Sequence, residues 1–243
     1  MYIRMKLASS GTFGRCGGIP LCPMGSSSPY FADSADVDSA GGSDFPMVVL
    51  ASASPRRRVM LEEAGIEHRV QPAAVDDGEL VPGDSTCPQE WVAALAYLKA
   101  ISSARTIDDS AFESKVVVLG ADTVCVQDGQ IIGQPRDRAH AREIIEQMRS
   151  NTHEVLTGVA IVDPADGRRE LFVDRSIVTV GTIHDHEIEQ YLDSEHWRGK
   201  AGAYNITERL AAGWSITFTG DETSIVGLPL SRTLDRVARF FVD

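Results

Sequence analysis

The sequence predicts an α/β fold with a mixed sheet, and three observations carry that prediction. Short apolar runs such as Val48-Val49-Leu50 and Val116-Val117-Val118-Leu119 have strand length and β-branched character. Other segments place apolar residues at helical spacing, most clearly Leu234, Val237, Ala238 and Phe241. Asp128-Gly129, set between two apolar runs, is a hairpin signal, so some neighbouring strands run antiparallel.

Residues 1–45 stand outside this pattern. They are rich in Gly and Ser, carry Pro20, Pro23 and Pro29, and lack sustained periodicity. Such a segment buries too little apolar surface to offset the entropy of ordering it. A disordered tail, or a start assigned too early with Met47 nearer the true beginning, would each account for it. Gly and Pro interrupt every apolar stretch that might serve as a secretory signal. The folded domain is expected over residues 46–243.

Its first strand is Met47-Val48-Val49-Leu50-Ala51. Ser54 and Pro55 suit the cap and first position of a helix that Gly65 closes. A second helix is expected over 89–104, with Trp91, Leu95 and Leu98 on its apolar side. Residues 116–126 read as strand, interrupted by Gly120-Ala121-Asp122-Thr123, and the hairpin leads on to Ile131-Ile132. Asp137 caps a helix whose inner side holds Ala141, Ile144, Ile145 and Met148. Residues 155–162 and 171–180, separated by a turn over 164–167, form an antiparallel pair. A short helix around Ile188, Tyr191 and Leu192, strands over 214–219 and 224–226, and a final helix complete the order, with no internal repeat.

The charge balance narrows function. The chain has 243 residues, with 23 Lys and Arg against 35 Asp and Glu, a formal net charge of −12. So acidic a surface repels nucleic acid at long range, yet leaves room for one anionic ligand in a local cationic pocket. No apolar run approaches the ~20 residues of a membrane span. The four cysteines show no metal-ligand spacing, and reduced thiols in a cytoplasmic protein are expected. There is no G-x-x-x-x-G-K-[ST] loop, no G-x-S-x-G elbow and no H-E-x-x-H pair.

Two segments are expensive unless they hold something. Arg56, Arg57 and Arg58 follow Ser54-Pro55 at a helix start, where cations cost about 0.3–1 kcal/mol each. A bound anion would reverse that conflict, because N–H groups, hydroxyls and guanidinium forks all donate to phosphate oxygens. A solvated basic turn pairing with Glu62 or Glu63 is the plain alternative. Asp122 lies inside an apolar strand, where a carboxylate must be paired, metal-bound or turned on its own backbone. Gly120 and Ala121 would leave room beside it for a ligand. Asp76, Asp77 and Glu79 form an acidic loop that either helps to hold a hard cation or is simply exposed. Lys99 flanks an apolar stripe, and either snorkels or serves a cleft. Lys200 sits in a small-residue loop, Gly199-Lys200-Ala201-Gly202-Ala203-Tyr204, where backbone can approach a ligand.

Taken together, the motifs resemble those of the Maf family of nucleotide pyrophosphatases. Leu50-Ala51-Ser52-Ala53-Ser54-Pro55-Arg56-Arg57, Gly120-Ala121-Asp122-Thr123, Thr152-His153-Glu154-Val155-Leu156-Thr157-Gly158, Lys200-Ala201-Gly202-Ala203-Tyr204 and Gly227-Leu228-Pro229 occur in the family's order. The resemblance covers residue 47 to the C-terminus. It implies an inosine-triphosphatase-like mixed sheet with two lobes around a cleft, often dimeric. It also implies metal-dependent hydrolysis of nucleoside triphosphates to monophosphate and pyrophosphate, with Mg²⁺ or Mn²⁺ as the metal. By position Asp122 matches the proton acceptor, Ser52, Ser54, Arg56 and Arg57 the phosphate loop, and Lys99 and Lys200 further cleft lysines. Asp77, as a metal ligand, stands where the family usually has Glu, and Gln134 where it has Lys. Arg56 and Thr123 resemble the subgroup acting on dTTP and UTP. Thr207 departs from that subgroup's Gln, in Tyr204-Asn205-Ile206-Thr207. A 7-methyl-GTP pyrophosphatase and a nucleotide-binding division regulator with little catalysis are the alternatives.

Overall fold

Seven strands form one sheet among the described residues of the computed structural model, which are 47–75, 80–83, 85–108, 112 and 114–240. The expectations for residues 1–45 and for Asp77 fall outside that set. The strands are β1 (Met47–Leu50), β2 (His68–Val70), β3 (Val116–Gln127), β4 (Gln130–Ile132), β5 (Asn151–Val162), β6 (Arg169–Val180) and β7 (Ile216–Thr219). The helices are α1 (Pro55–Glu63), α2 (Pro88–Ala104), α3 (Arg138–Met148), α4 (Asp185–Asp193), α5 (Ile206–Ala211), α6 (Glu222–Val226) and α7 (Leu230–Arg239). Strand order is β2-β1-β3-β5-β6-β7, with β4 folded back beside β3. β1 is parallel to β2 and β3, and every other pairing is antiparallel, so the sheet is mixed as the hairpin signal requires. No helix among the described residues is long and apolar enough to cross a membrane.

The side chains of β3 alternate between two faces, and this sets the layers. Val116 and Val118 pack with Ala96 and Ala100 of α2, and further along Val124 and Val126 pack with Val92. The opposite face divides. Val117, Leu119 and Ala121 join Leu61 of α1 and Val237 of α7, whereas Cys125 joins Ile144, Ile145 and Met148 of α3. Two lobes therefore share one sheet. Thr123 and its cross-strand partner Thr157 lie between their cores.

β3 does not break at Gly120. Residues 120–123 stay paired with Ala160, Val159, Gly158 and Thr157 of β5. The small residue serves a different purpose from the one expected, because a Cβ there would lie 2.2 Å from the Ala96 carbonyl oxygen. The space beside Asp122 at this point is filled by α2, which approaches the sheet closely. The same contact turns the inward stripe of α2 to Val92, Ala93, Ala96 and Ala100, and leaves the expected Leu98 exposed. In α7 the inward positions are Thr233 and Val237, with Phe240 just beyond, and Ala238 faces solvent. Residues 224–226 are helical rather than extended, since Asp221 accepts from the N–H groups of Thr223 and Ser224 and starts α6. Cys125 is a free buried thiol, whereas Cys87 is disulfide-bonded, against the expectation of reduced thiols throughout.

One feature of the register positions the site. β1 accompanies β3 only as far as Leu119, and β4 joins the same flank only from Cys125. Residues 120–124 have no strand partner on that side, which leaves a notch at the end of parallel strand β1. Open α/β sheets place ligands at the carboxyl ends of strands where their direction changes.

Candidate active site

A cavity of about 350 Å³ opens at this notch, within the usual range for small-molecule sites. Ser52, Ser54, Arg56, Arg57, Lys99, Asp122, Thr123 and Lys200 all line it. Thr207 does not: it is exposed in the first turn of α5. Gln134 reaches the rim.

The three arginines have three fates. Arg57 is buried and donates from Nε to the Gly227 oxygen (2.7 Å), from Nη1 to Ser52 Oγ (2.9 Å) and from Nη2 to Thr123 Oγ1 (3.1 Å). Arg58 is exposed and pairs with Glu62 at 3.4 Å, the plain reading of the basic turn. Arg56 lines the cavity, and its buried Nε has no partner among the described residues. Ser52 Oγ also accepts from Ser54 N–H at 3.2 Å, which shapes the loop before α1. The Ser54 side chain makes no capping bond, so the start of α1 keeps its unpaired N–H groups.

The clasp made by Arg57 continues through the sheet. Thr157 donates to the Ser224 oxygen (2.8 Å), so its proton is spent, and in the 2.9 Å contact Thr123 is the donor to Thr157. Charge on Arg57 is thus tied through two hydroxyls to the first residues of α6. Thr157, Ser224 and Gly227 carry this network, and sequence reasoning gave none of them a role. The available signal was register: Thr123 and Thr157 are hydroxyls at opposed positions of two otherwise apolar strands.

Asp122 projects on the α2 side of the sheet. The close approach at Gly120 brings Lys99 Nζ to 2.7 Å from Asp122 Oδ1. Both side chains are largely buried, and each compensates the other's lost hydration. Asp122 Oδ2 accepts no hydrogen bond among the described residues.

The far wall comes from residues 199–206 and α6. Lys200 Nζ is bonded to Glu208 Oε2. Gly202 has a φ of 68°, and a Cβ there would meet Cys125 Sγ at 2.7 Å, so its small size answers packing rather than a ligand. Tyr204 OH meets Nε2 of His153 at 2.9 Å. Burial holds the His153 imidazole down at about 4 and pushes the Tyr204 phenol well above its ordinary range, so both are neutral at pH 7. Burial likewise pushes the Cys125 thiol up to about 12, which makes it an inert part of the floor.

Among the described lining residues, four cations (Arg56, Arg57, Lys99 and Lys200) surround a single carboxylate, Asp122. This local reversal in a chain of net charge −12 is the cationic pocket that composition allowed. The described residues contain no group of three or more His, Cys, Asp or Glu able to hold a metal by themselves.

Residues 47–240 match the family model described as Maf-like protein. The chain is 38% identical over 193 residues to a dTTP/UTP pyrophosphatase of Pelotomaculum thermopropionicum, covering 79% of this chain and 96% of that protein. It is 34% identical to a protein of the same description from Lachnoclostridium phytofermentans, covering 81% and 96%, and 34% identical to one from Bacillus cereus, covering 83% and 94%.

Proposed function

Since the chain belongs to the Maf family, we propose that it hydrolyses nucleoside triphosphates of the dTTP and UTP kind to monophosphate and pyrophosphate. One observation carries this reading: a carboxylate with one oxygen fixed by Lys99 and the other open, set among cations in a notch of the sheet.

The chemistry divides among the residues as follows. Arg56, Lys200 and the N-terminal turn of α1 bind the polyphosphate and neutralise charge that grows on its oxygens. Arg57, locked by Ser52, Thr123 and Gly227, holds the loop in the geometry that makes this possible. Asp122 Oδ2 takes the proton of a water whose oxygen bonds to the α-phosphorus. The bridge to the β-phosphate breaks, and pyrophosphate leaves with the electron pair. Lys99 keeps the carboxylate oriented. A divalent cation of the Mg²⁺ or Mn²⁺ type, when bound, supplies further charge neutralisation at phosphate oxygens. The donor set suits it, because such an ion is held by one or two carboxylates, water and the phosphates themselves. Asp77, the candidate from the sequence, would supply a carboxylate to such an ion, because the two oxygens of Asp122 are committed to Lys99 and to the proton of the water. The homodimer implied by the resemblance belongs to the same proposal, and light scattering of purified protein tests it.

The test is pyrophosphate release from UTP, dTTP, CTP, GTP and 7-methyl-GTP with Mg²⁺ or Mn²⁺. UTP and dTTP are expected to turn over, and Asp122→Asn to lower kcat by about 10²–10⁴-fold. Tight binding without turnover of any triphosphate would instead favour the regulator, and a preference for 7-methyl-GTP would favour the methylated-guanine enzyme.

A further inference from the structure

The far wall contains one amide whose two ends are already told apart. Asn205 lines the cavity and is 8% exposed. Its Oδ1 caps α5 by accepting from Glu208 N–H at 3.0 Å. Flipping the amide would sacrifice that cap, so the oxygen end faces the helix and the nitrogen end faces away from it. Nδ2 makes no hydrogen bond among the described residues, yet it is not among their shut-off polar atoms. The nitrogen end is thus not enclosed, and it belongs to a residue that lines the cavity. Tyr204, Ile206, Ile225 and Val226 line the same wall, the apolar and aromatic surroundings that suit a flat heterocycle. Arg56, Lys99 and Asp122 line the cavity from α1, α2 and β3. Thr207, whose position raised the question of base choice, faces solvent and cannot answer it.

We infer that Asn205 selects the base. Its Nδ2 donates to the 4-carbonyl oxygen of a uracil- or thymine-type ring. A cytosine-type ring presents an amino donor at that place, so two donors would meet. Sites built to hydrogen-bond a polar group reject ligands that leave the bond unmade. The inference rests on the proposed function in one respect, that the ligand is a nucleotide.

Binding and turnover should be measured side by side on the full chain with Mg²⁺. The probes are the α,β-methylene analogues of UTP and CTP, which resist cleavage between those phosphates, together with UTP and CTP themselves. The wild-type chain should bind the uracil analogue about tenfold or more tightly than the cytosine analogue. Asn205→Asp keeps a capping oxygen but replaces the donor with an acceptor, and the preference should fall by about tenfold or invert. Its added charge weakens both analogues and cancels in the ratio. Asn205→Ser keeps a cap but loses reach, and should bring the ratio near one. Either variant decides the matter, provided its circular dichroism matches wild type. A wild-type ratio near one, binding of neither analogue, or a preference retained in a folded variant overturns the inference. Selective binding without hydrolysis would sink the proposed activity and leave base selection by Asn205 standing.

Discussion

The two walls of the cavity are built on different plans. The near wall ties groups far apart in sequence: Arg57 reaches Ser52, Thr123 and Gly227, and Thr157 carries the chain on to Ser224. The far wall mixes local contacts, with Lys200 and Asn205 both bonded to Glu208 a few residues away, with longer-range ones from Tyr204 to His153 and from Gly202 N–H to the Gly133 oxygen. A network that joins the loop after β1, α1, β3, β5 and α6 cannot change at one position without disturbing the others. The contacts of Lys200 and Asn205 with Glu208 can change by themselves. Of the departures from the family pattern at described residues, Gln134 reaches the cavity rim and Thr207 is exposed outside the lining, while the Ser52–Arg57 loop keeps its motif. Under the proposed roles, the cross-linked wall fixes the phosphate loop, and the far wall carries both Lys200 for phosphate and Asn205 for the base.

The largest test of this contrast is to cut each wall. Arg57→Ala removes three charge-assisted hydrogen bonds from a buried position and takes from the Gly227 oxygen its side-chain donor. It should cost about 3–5 kcal/mol in urea denaturation. Lys200→Met, at a partly exposed ion pair, should cost under about 1 kcal/mol while still raising KM. Equal stability losses in the two variants would break the comparison.

The sequence made some of this legible and hid the rest for identifiable reasons. Turn chemistry at Asp128-Gly129 and capping at Asp137 are local, and both elements appear where expected. The conflict of three arginines at a helix start was also local, and it led to the cavity. Gly120 misled, because a small residue signals close approach without saying by what, and the neighbour is α2. Residues 224–226 looked extended, since two β-branched residues outweighed the Asp221 cap. Thr157 and Asn205 escaped notice because their roles come from register and from a cap that orients an amide. The first is a property of the pairing of two strands, and the second of an amide whose free end gains meaning only from the cavity it lines.

A smaller effect should appear on acidification, and it should fall on the far wall. His153 is 2% exposed and supports Tyr204, with its imidazole held at about 4 against about 6.5 in the unfolded chain. A depressed folded value means that the unfolded chain binds more protons between those two values. The associated stability is present above about pH 6.5 and is lost as pH falls through about 4, by roughly 2–3 kcal/mol. The urea midpoint of wild type should therefore drop across that window more steeply than that of His153→Gln. Relative to the intrinsic exchange rate at each pH, amides of residues 200–206 should lose protection at pH 4.5 compared with pH 7, while those of residues 52–58 change little. Loosening of both segments together would show that the walls are coupled more tightly than their hydrogen bonds indicate.

The smallest effect is expected at Arg58, and its size matters because the reading of the near wall depends on it. If the basic turn acted only through bulk positive charge, all three arginines would contribute alike. Arg58 differs from its neighbours in place rather than in chemistry: more than half its side-chain surface is exposed, and its ion pair among the described residues is an i,i+4 contact at 3.4 Å. Removing it loses a few tenths of a kcal/mol from that pair and regains a similar amount by withdrawing a cation from the start of a helix. Arg58→Ala should therefore stay within about 0.5 kcal/mol of wild type and within about twofold in kcat/KM for UTP. Arg56→Ala, measured beside it, should raise KM about tenfold, because its guanidinium lines the cavity. A loss at Arg58 as large as that at Arg56 would mean that charge density, and not the inward aim of particular guanidiniums, holds the ligand.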